Sequence, residues 1–235
     1  MWNGTEDKIK VKITWIRHGM TQANGEHRYL GKTDEPLSET GIRLLQEKKK
    51  EYFSSPPEFL YTSPMKRCVQ TAELLFERKP ILIPEWKEMD FGQFEWKNYE
   101  ELKDDPCYQK WIDSNGTLPF PGGESREQFI RRSMEGFDRM MSDILKRSEK
   151  NTGIQNDTDT RYLKSNRGTE IPVVTVVHGG TIMAVLSSLT GGEYFDFQVK
   201  NGEGYETVLE WIQGSWKITS LTKIGCEDSK SEHLQ

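Results

Sequence analysis

Two of the four histidines in this chain occupy matching places. His18 closes "TWIRH" and His178 closes "VTVVH"; each directly follows a run of β-formers and is followed by glycine. In parallel α/β sheets, ligands bind in the crevice beyond the carboxyl ends of the strands, so two histidines delivered there can face one another. An imidazole is substantially neutral near pH 7 and needs no strong base beside it to act as a nucleophile. Arg17 adjoins the first histidine, and a cation at a strand end is costly unless an anion meets it. Arg67 is a second cation, about one turn into a helix expected to start at Ser63–Pro64, where free N–H groups favour anions. His178 also precedes a helix. Two guanidinium groups, two helix starts and two imidazoles describe a pocket for a dianionic phosphate, whose oxygens match the planar forks of arginine. Two blander readings compete. A strand-end histidine is often only a hydrogen-bonded structural residue, and paired histidines also ligate zinc. The zinc reading lacks a well-placed Cys or H-x-x-x-H partner set, and an arginine beside the site repels a cation. No metal or other cofactor is expected.

The elements that must position these groups alternate, which predicts the α/β class. "VKITWI" (11 to 16) and "IPVVTVV" (171 to 177) are short runs of the kind buried in a mostly parallel sheet. "FLYTS" and "ILIPEW" are shorter strand candidates, and "YETVLEWIQGSWKITSL" reads as two alternating strands joined by a turn at Gln213 and Gly214. Ser38 is expected to cap a helix reaching about Tyr52, and Ser63 with Pro64 to start one with an apolar face of Met65, Cys68, Val69, Ala72, Leu75 and Phe76. Ser125 and Gln128 form a capping box for a helix whose stripe runs through Phe129, Phe137, Met141 and Leu145. A last helix follows His178 and stops at Gly191 and Gly192. Residues 149–169, poor in apolar residues and rich in Asn, Asp, Thr and Gly, read as a mobile surface loop, a linker in preference to a lid.

Composition narrows the function classes. The 235 residues suffice for one domain over 1–235 with its core in 10–225. A net charge of -5 gives no basic footprint for nucleic acid, and Lys48, Lys49 and Lys50 read as a solvated helix face. No stretch reaches the roughly 20 apolar residues that span a bilayer. Three cysteines, Cys68, Cys107 and Cys226, form no C-x-x-C pair, which fits a reducing cytoplasm. The sequons at Asn3, Asn115 and Asn156 are then chance matches. The expected partner is a small-molecule phosphomonoester, with the chain a monomer or homodimer.

The motifs extend further. "RHGMTQAN" resembles the R-H-G-x-(S/T)-x-x-N signature of the histidine phosphatase, or phosphoglycerate mutase-like, superfamily. "YLGKTDEPLSETG" (29 to 41), "TSPMKRCVQTA" (62 to 72), "EMDFGQFE" (88 to 95), "PGGES" (121 to 125) and "VVHGGTI" (176 to 182) are similar to its further blocks, in order, over residues 11 to 212. The resemblance implies a three-layer α/β/α sandwich around a central, mostly parallel sheet. It also implies that His18 attacks phosphorus to form a phosphohistidine, and that Arg17, Arg67 and His178 clamp the phosphoryl oxygens. Asn24 would donate a further hydrogen bond, with Thr21, Gly31 and Gly179 also at the substrate. Glu88 matches the proton donor of the family. On chemistry alone Asp90 competes with it, and the resemblance favours Glu88.

Trp96 stands where the family usually has glycine, which puts the local turn and the substrate-side wall in question. Trp86, Phe91, Phe94, Trp96, Tyr99, Tyr108 and Trp111 crowd this region, and core packing is the favoured reading for most. The stretch 98 to 125 has more acids than bases, unlike a mutase that must hold a phosphoglycerate carboxylate, so a phosphatase is favoured. The blocks near 87 to 92 and 121 to 125 resemble alpha-ribazole phosphatase-type enzymes of bacteria. A mutase and a non-catalytic phospho-ligand module are the alternatives.

Overall fold

The computed structural model describes residues 9–52, 57–151 and 170–225. Val11, Ile13 and Trp15 are fully buried on one face of strand β1 (Lys10–Arg17), and Ile16 packs on the other. This period of two recurs in β2 (Phe59–Thr62) and β4 (Ile171–Val177), as it must in a sheet covered on both sides. "ILIPEW" yields only a two-residue β3 (Ile81–Leu82). Pro84 cannot donate to a ladder, and the segment turns into a 3-10 helix, Pro84–Trp86, that buries Trp86 completely. The hairpin appears as β5 (Gly204–Ile212) and β6 (Ser215–Ile224), with Gln213 and Gly214 both at positive φ in the turn.

The sheet order is β3-β2-β4-β1-β5-β6. The pairs β2–β3, β2–β4 and β1–β4 are parallel, and β1–β5 and β5–β6 antiparallel. Thus the chain passes from β1 over to β2, moves outward to β3, and returns to insert β4 between β2 and β1. Ligand crevices in open α/β sheets lie where the connections change direction in this way.

Seven α-helices are described: α1 (Gln22–Gly25), α2 (Glu39–Tyr52), α3 (Lys66–Phe76), α4 (Tyr99–Leu102), α5 (Pro106–Asp113), α6 (Arg126–Asn151) and α7 (Gly179–Thr190). Leu45 of α2 and Cys68, Ala72 and Leu75 of α3 cover one face of the sheet. Phe137, Met140 and Ile144 of α6, with Ile182 and Val185 of α7, cover the other. Each Leu, Ile, Val, Phe or Met among them, fully buried, contributes about 1.5–3 kcal/mol. The result is the three-layer α/β/α sandwich with a mostly parallel sheet.

The capping box before α6 is present in both directions: Gln128 N donates to Ser125 Oγ at 3.1 Å, and Ser125 N to Gln128 Oε1 at 2.9 Å. The inner stripe of α6 runs through Met140 and Ile144 as well as Phe137 and Met141, leaving Leu145 at its margin. Ser38 Oγ accepts from Gly41 N in the first turn of α2. The Ser63–Pro64 start is corrected. α3 begins at Lys66, so Arg67 is its second residue, and the acceptor for the Lys66 amide is Asp34 Oδ1 at 2.7 Å. Of the surface loop expected at 149–169, residues 149–151 end α6 and 152–169 lie outside the described residues.

Candidate active site

Because β1 and β4 lie side by side in parallel, Arg17 opposite Val177, the residues just beyond them fall together. The His18 amide continues the ladder onto Val177 O at 2.9 Å. The two imidazoles meet with centroids 5.2 Å apart and planes at 68°, His18 3% and His178 0% exposed.

His18 Nδ1 lies 2.7 Å from its neighbour's carbonyl, Gly19 O. A carbonyl only accepts, so Nδ1 carries the proton and the Nε2 lone pair is left for nucleophilic attack. Burial, then the Arg67 and Arg17 charges, hold the His18 pKa well below its ordinary value of 6.5. Burial, then Arg67, His18, Arg17 and Arg132, likewise depress His178. Both rings are neutral at pH 7. Folding stability should therefore fall as the pH drops below about 6.5, where the unfolded chain binds protons that the folded rings refuse. The slope is about 1.4 kcal/mol per pH unit for each histidine while its folded form stays neutral. Glu88, raised in the folded state, works in the opposite sense above 4.5 and offsets part of the loss. Denaturant midpoints at pH 7.5 and 5.5 check this; a midpoint that rises on acidification contradicts it.

The cations are held by backbone oxygens. Arg17 Nη1 donates to Val199 O at 2.7 Å; Arg67, 0% exposed, donates through Nη1 to Thr33 O and through Nη2 to Gly31 O, both at 2.9 Å. The Nε atoms of both arginines are buried without a hydrogen-bond partner. Orphaned buried donors are rare in folded proteins, and on two guanidinium groups beside two neutral imidazoles they mark a place for an anion.

Glu88, its side chain 11% exposed, has Oε2 3.7 Å from His178 Nδ1 and accepts the Met89 amide through Oε1 at 2.9 Å. Burial raises its pKa above the usual carboxylate value, against the pull of the Met89 amide, Arg67, Arg17 and Arg132. A carboxyl that keeps its proton can give it up to a leaving group. Asp90, the competitor, is engaged in the local turn, with Oδ1 accepting from Gly92 N and Oδ2 paired with Lys32.

Thr21 and Asn24 form a reciprocal capping box on α1. Asn24 Oδ1 accepts from Thr21 N and from Asn201 Nδ2, so what its amide has left to offer a ligand is the NH2 group. Fully buried Thr21 serves that box. The Gly31 N–H donates to both Glu95 oxygens and its carbonyl receives Arg67. A Cβ there would stand 2.0 Å from Met89 O. Gly179 lies over the Arg17 guanidinium, with room for a Cβ at 3.4 Å from Nε.

Sequence reasoning gave several supporting residues no role at the site. Asn201 Nδ2 also donates to His18 O at 3.0 Å. Arg132 binds the carbonyls of Glu85 and Lys87 and forms a two-pronged bond with Glu124, bracing the segment that carries Glu88. A Cβ on Gly180 would meet Glu88 Oε1 at 2.8 Å. Ser63 Oγ lies 2.8 Å from His178 Nε2.

Glu88 opens into a cleft of about 970 Å³ whose wall, among the described residues, includes Lys32, Lys87, Asp90, Arg131 and Glu135 and no aromatic ring. The aromatic cluster is instead core: Phe94, Tyr108 and Phe120 are buried, with Tyr29, Phe91 and Trp111 packed against them. Trp96 takes the turn at φ 65 and is 40% exposed, so the turn is kept with a residue for which the left-handed conformation costs about 1–2 kcal/mol. Among the described residues no cluster of three or more His, Cys, Asp and Glu could hold a metal ion. Nor, among them, is any helix long and apolar enough to cross a membrane.

Facing imidazoles, two buried arginines and a buried carboxyl thus converge beyond the ends of β1 and β4. Residues 13–153 match the family model of the histidine phosphatase superfamily (branch 1), and the chain belongs to that family. Its chemistry is phosphomonoester hydrolysis. The uncharacterized phosphatase PhoE of Bacillus subtilis is 28% identical over 88% of this chain and 91% of its own. The adenosylcobalamin/alpha-ribazole phosphatase of Salmonella typhimurium is 30% identical over 52% of this chain and 63% of its own. Among solved structures, a phosphoserine phosphatase mutant from Entamoeba histolytica in complex with phosphoserine has a TM-score of 0.63 at 25% identity, covering 90% of this chain and 96% of that one. The alpha-ribazole phosphatase of Shigella flexneri shares the fold, with a TM-score of 0.66 at 23% identity over 93% of this chain and 100% of that one.

Proposed function

We propose that this phosphatase hydrolyses a small, polar phosphomonoester in two steps through a phosphohistidine on His18. His18 Nε2 attacks phosphorus while Glu88 gives its proton to the leaving alkoxide; Glu88 then takes a proton from the water that releases phosphate. Arg17, Arg67, His178 and the Asn24 amide hold the phosphoryl oxygens. In such transfers positioning and electrostatics carry most of the acceleration. The observation that supports this reading best is the pair of orphaned guanidinium Nε–H groups beside two neutral, facing imidazoles.

The charged cleft beyond Glu88 suits an alcohol with hydroxyl or ionic groups. Alpha-ribazole phosphate, the substrate class of the relatives named for it, is our candidate, with phosphoserine next in line. The free thiols of Cys68 and exposed Cys107 fit a reducing cytoplasm. A panel of p-nitrophenyl phosphate, alpha-ribazole phosphate, phosphoserine and 3-phosphoglycerate, assayed with a chelator present, tests the reading. Free phosphate should appear from p-nitrophenyl phosphate, and fastest from alpha-ribazole phosphate. An isomer of 3-phosphoglycerate in place of phosphate indicates a mutase, and a silent wild type indicates a binding module. Marked inhibition by the chelator contradicts the metal-free mechanism.

A further inference from the structure

Ser63 stands just past β2, and its place against β4 is set by the sheet. Its amide donates to Val176 O at 3.1 Å, and the preceding Thr62 hydroxyl donates to the same carbonyl at 2.8 Å. Two residues along β4's path is His178, whose Nε2 lies 2.8 Å from Ser63 Oγ. The hydroxyl oxygen also accepts the Met65 amide, at 3.3 Å. A backbone N–H can only donate, so it occupies a lone pair and leaves the hydroxyl proton to be placed. Two acceptors are within reach of Ser63: the Nε2 lone pair of His178 and the sulfur of Cys68, which itself lies 3.6 Å from Nε2. A thiol sulfur is much the weaker acceptor.

We infer that Ser63 is a positioning residue, whose hydroxyl donates to His178 Nε2 and so fixes His178 as the tautomer with its proton on Nδ1. The second nitrogen is the one turned to the site, since Nδ1 faces Glu88 Oε2 across 3.7 Å where the cleft begins. In this tautomer it presents an N–H to the phosphoryl oxygens. The opposite tautomer would present a lone pair to a dianion and repel it. Ser63 is 0% exposed, so bulk water cannot take over the task when the hydroxyl is removed. The inference deepens the phosphohydrolase reading and rests on it for the purpose of the donor, but the tautomer itself is independent of any activity.

The test is 15N NMR of the full chain with ring-labelled histidine, with His178→Asn used to assign the resonances. It is combined with steady-state kinetics on p-nitrophenyl phosphate for wild type, Ser63→Ala and Ser63→Thr. Wild type at neutral pH should show His178 protonated on Nδ1 alone. Ser63→Ala should shift that signal toward a mixture of tautomers and lower kcat about tenfold or more, short of the ~10²–10³ lost with a whole transition-state donor. KM should move less than kcat, and Ser63→Thr, which restores a hydroxyl, should recover both the signal and the rate. A wild-type His178 protonated on Nε2, or a Ser63→Ala protein that keeps the Nδ1 proton and full kcat, overturns the inference. A wild type that turns over no phosphomonoester defeats the phosphatase reading instead, and the spectra still decide the tautomer.

Discussion

Replacing His18 with alanine should abolish turnover, with a loss on the order of 10⁵–10⁶ in kcat for p-nitrophenyl phosphate, the scale seen when a covalent nucleophile is removed. The reason is local. Its Nδ1 proton is committed to Gly19 O at 2.7 Å, its backbone is tied to Val177 O and Asn201, and burial with two arginines keeps it neutral. The alternative nucleophile, His178, has its ring nitrogens directed at Ser63 and Glu88. The variant should still bind phosphate, because Arg17 and Arg67 hold their positions through carbonyls that do not involve the His18 ring. Measured side by side, a variant with more than about a thousandth of wild-type kcat contradicts this assignment, since an accessory residue costs only 10²–10³.

Glu88→Gln should separate the two half-reactions. An alkyl phosphate needs a proton on its leaving oxygen, so its hydrolysis should slow by ~10²–10⁴, the usual worth of a positioned acid. p-Nitrophenolate is a weak base and leaves without that proton. The second step still lacks its base, so stopped-flow traces with p-nitrophenyl phosphate should show a burst of one equivalent per site, then slow turnover. In wild type, the rate with an alkyl phosphate should fall as the pH rises through the Glu88 pKa, which burial has lifted; the burst rate with the aryl ester, which needs no proton from Glu88, should show no such limb. A variant that hydrolyses alkyl phosphates at the wild-type rate, or loses the aryl burst, would assign the acid elsewhere, and Asp90 is then the next carboxyl to replace.

The parts of this site that can be read from sequence are those carried by local pattern. A run of β-formers ending in His-Gly marks a strand end whatever the rest of the chain does, and a parallel sheet makes equal strand ends converge. For the same reason the Ser125–Gln128 box and the Gln213–Gly214 turn are legible: both are closed by bonds within three residues. Ser63 shows the opposite case. Ser-Pro ahead of an apolar stripe is a helix start by local rules, but its hydroxyl is drawn to an imidazole 115 positions away. Asn201 and Arg132 act through partners far along the chain and carry no local signal, so only the folded chain reveals them, as it does the partners of Glu124 and Gly180, which the motifs holding those two residues do not name. The "ILIPEW" segment matches a strand by its apolar run, whereas Pro84 and the burial of Trp86 against Ser133 O decide for a 3-10 turn.

The covalent intermediate is the direct test of the two-step mechanism. Wild-type protein mixed with p-nitrophenyl phosphate, quenched in alkali within the first turnovers and mapped by mass spectrometry should carry one phosphoryl group on the peptide holding Arg17 and His18, located on the imidazole and lost in acid. A phosphoryl group on His178 or another side chain, or rapid turnover with no phosphorylated peptide at any quench time, would contradict it.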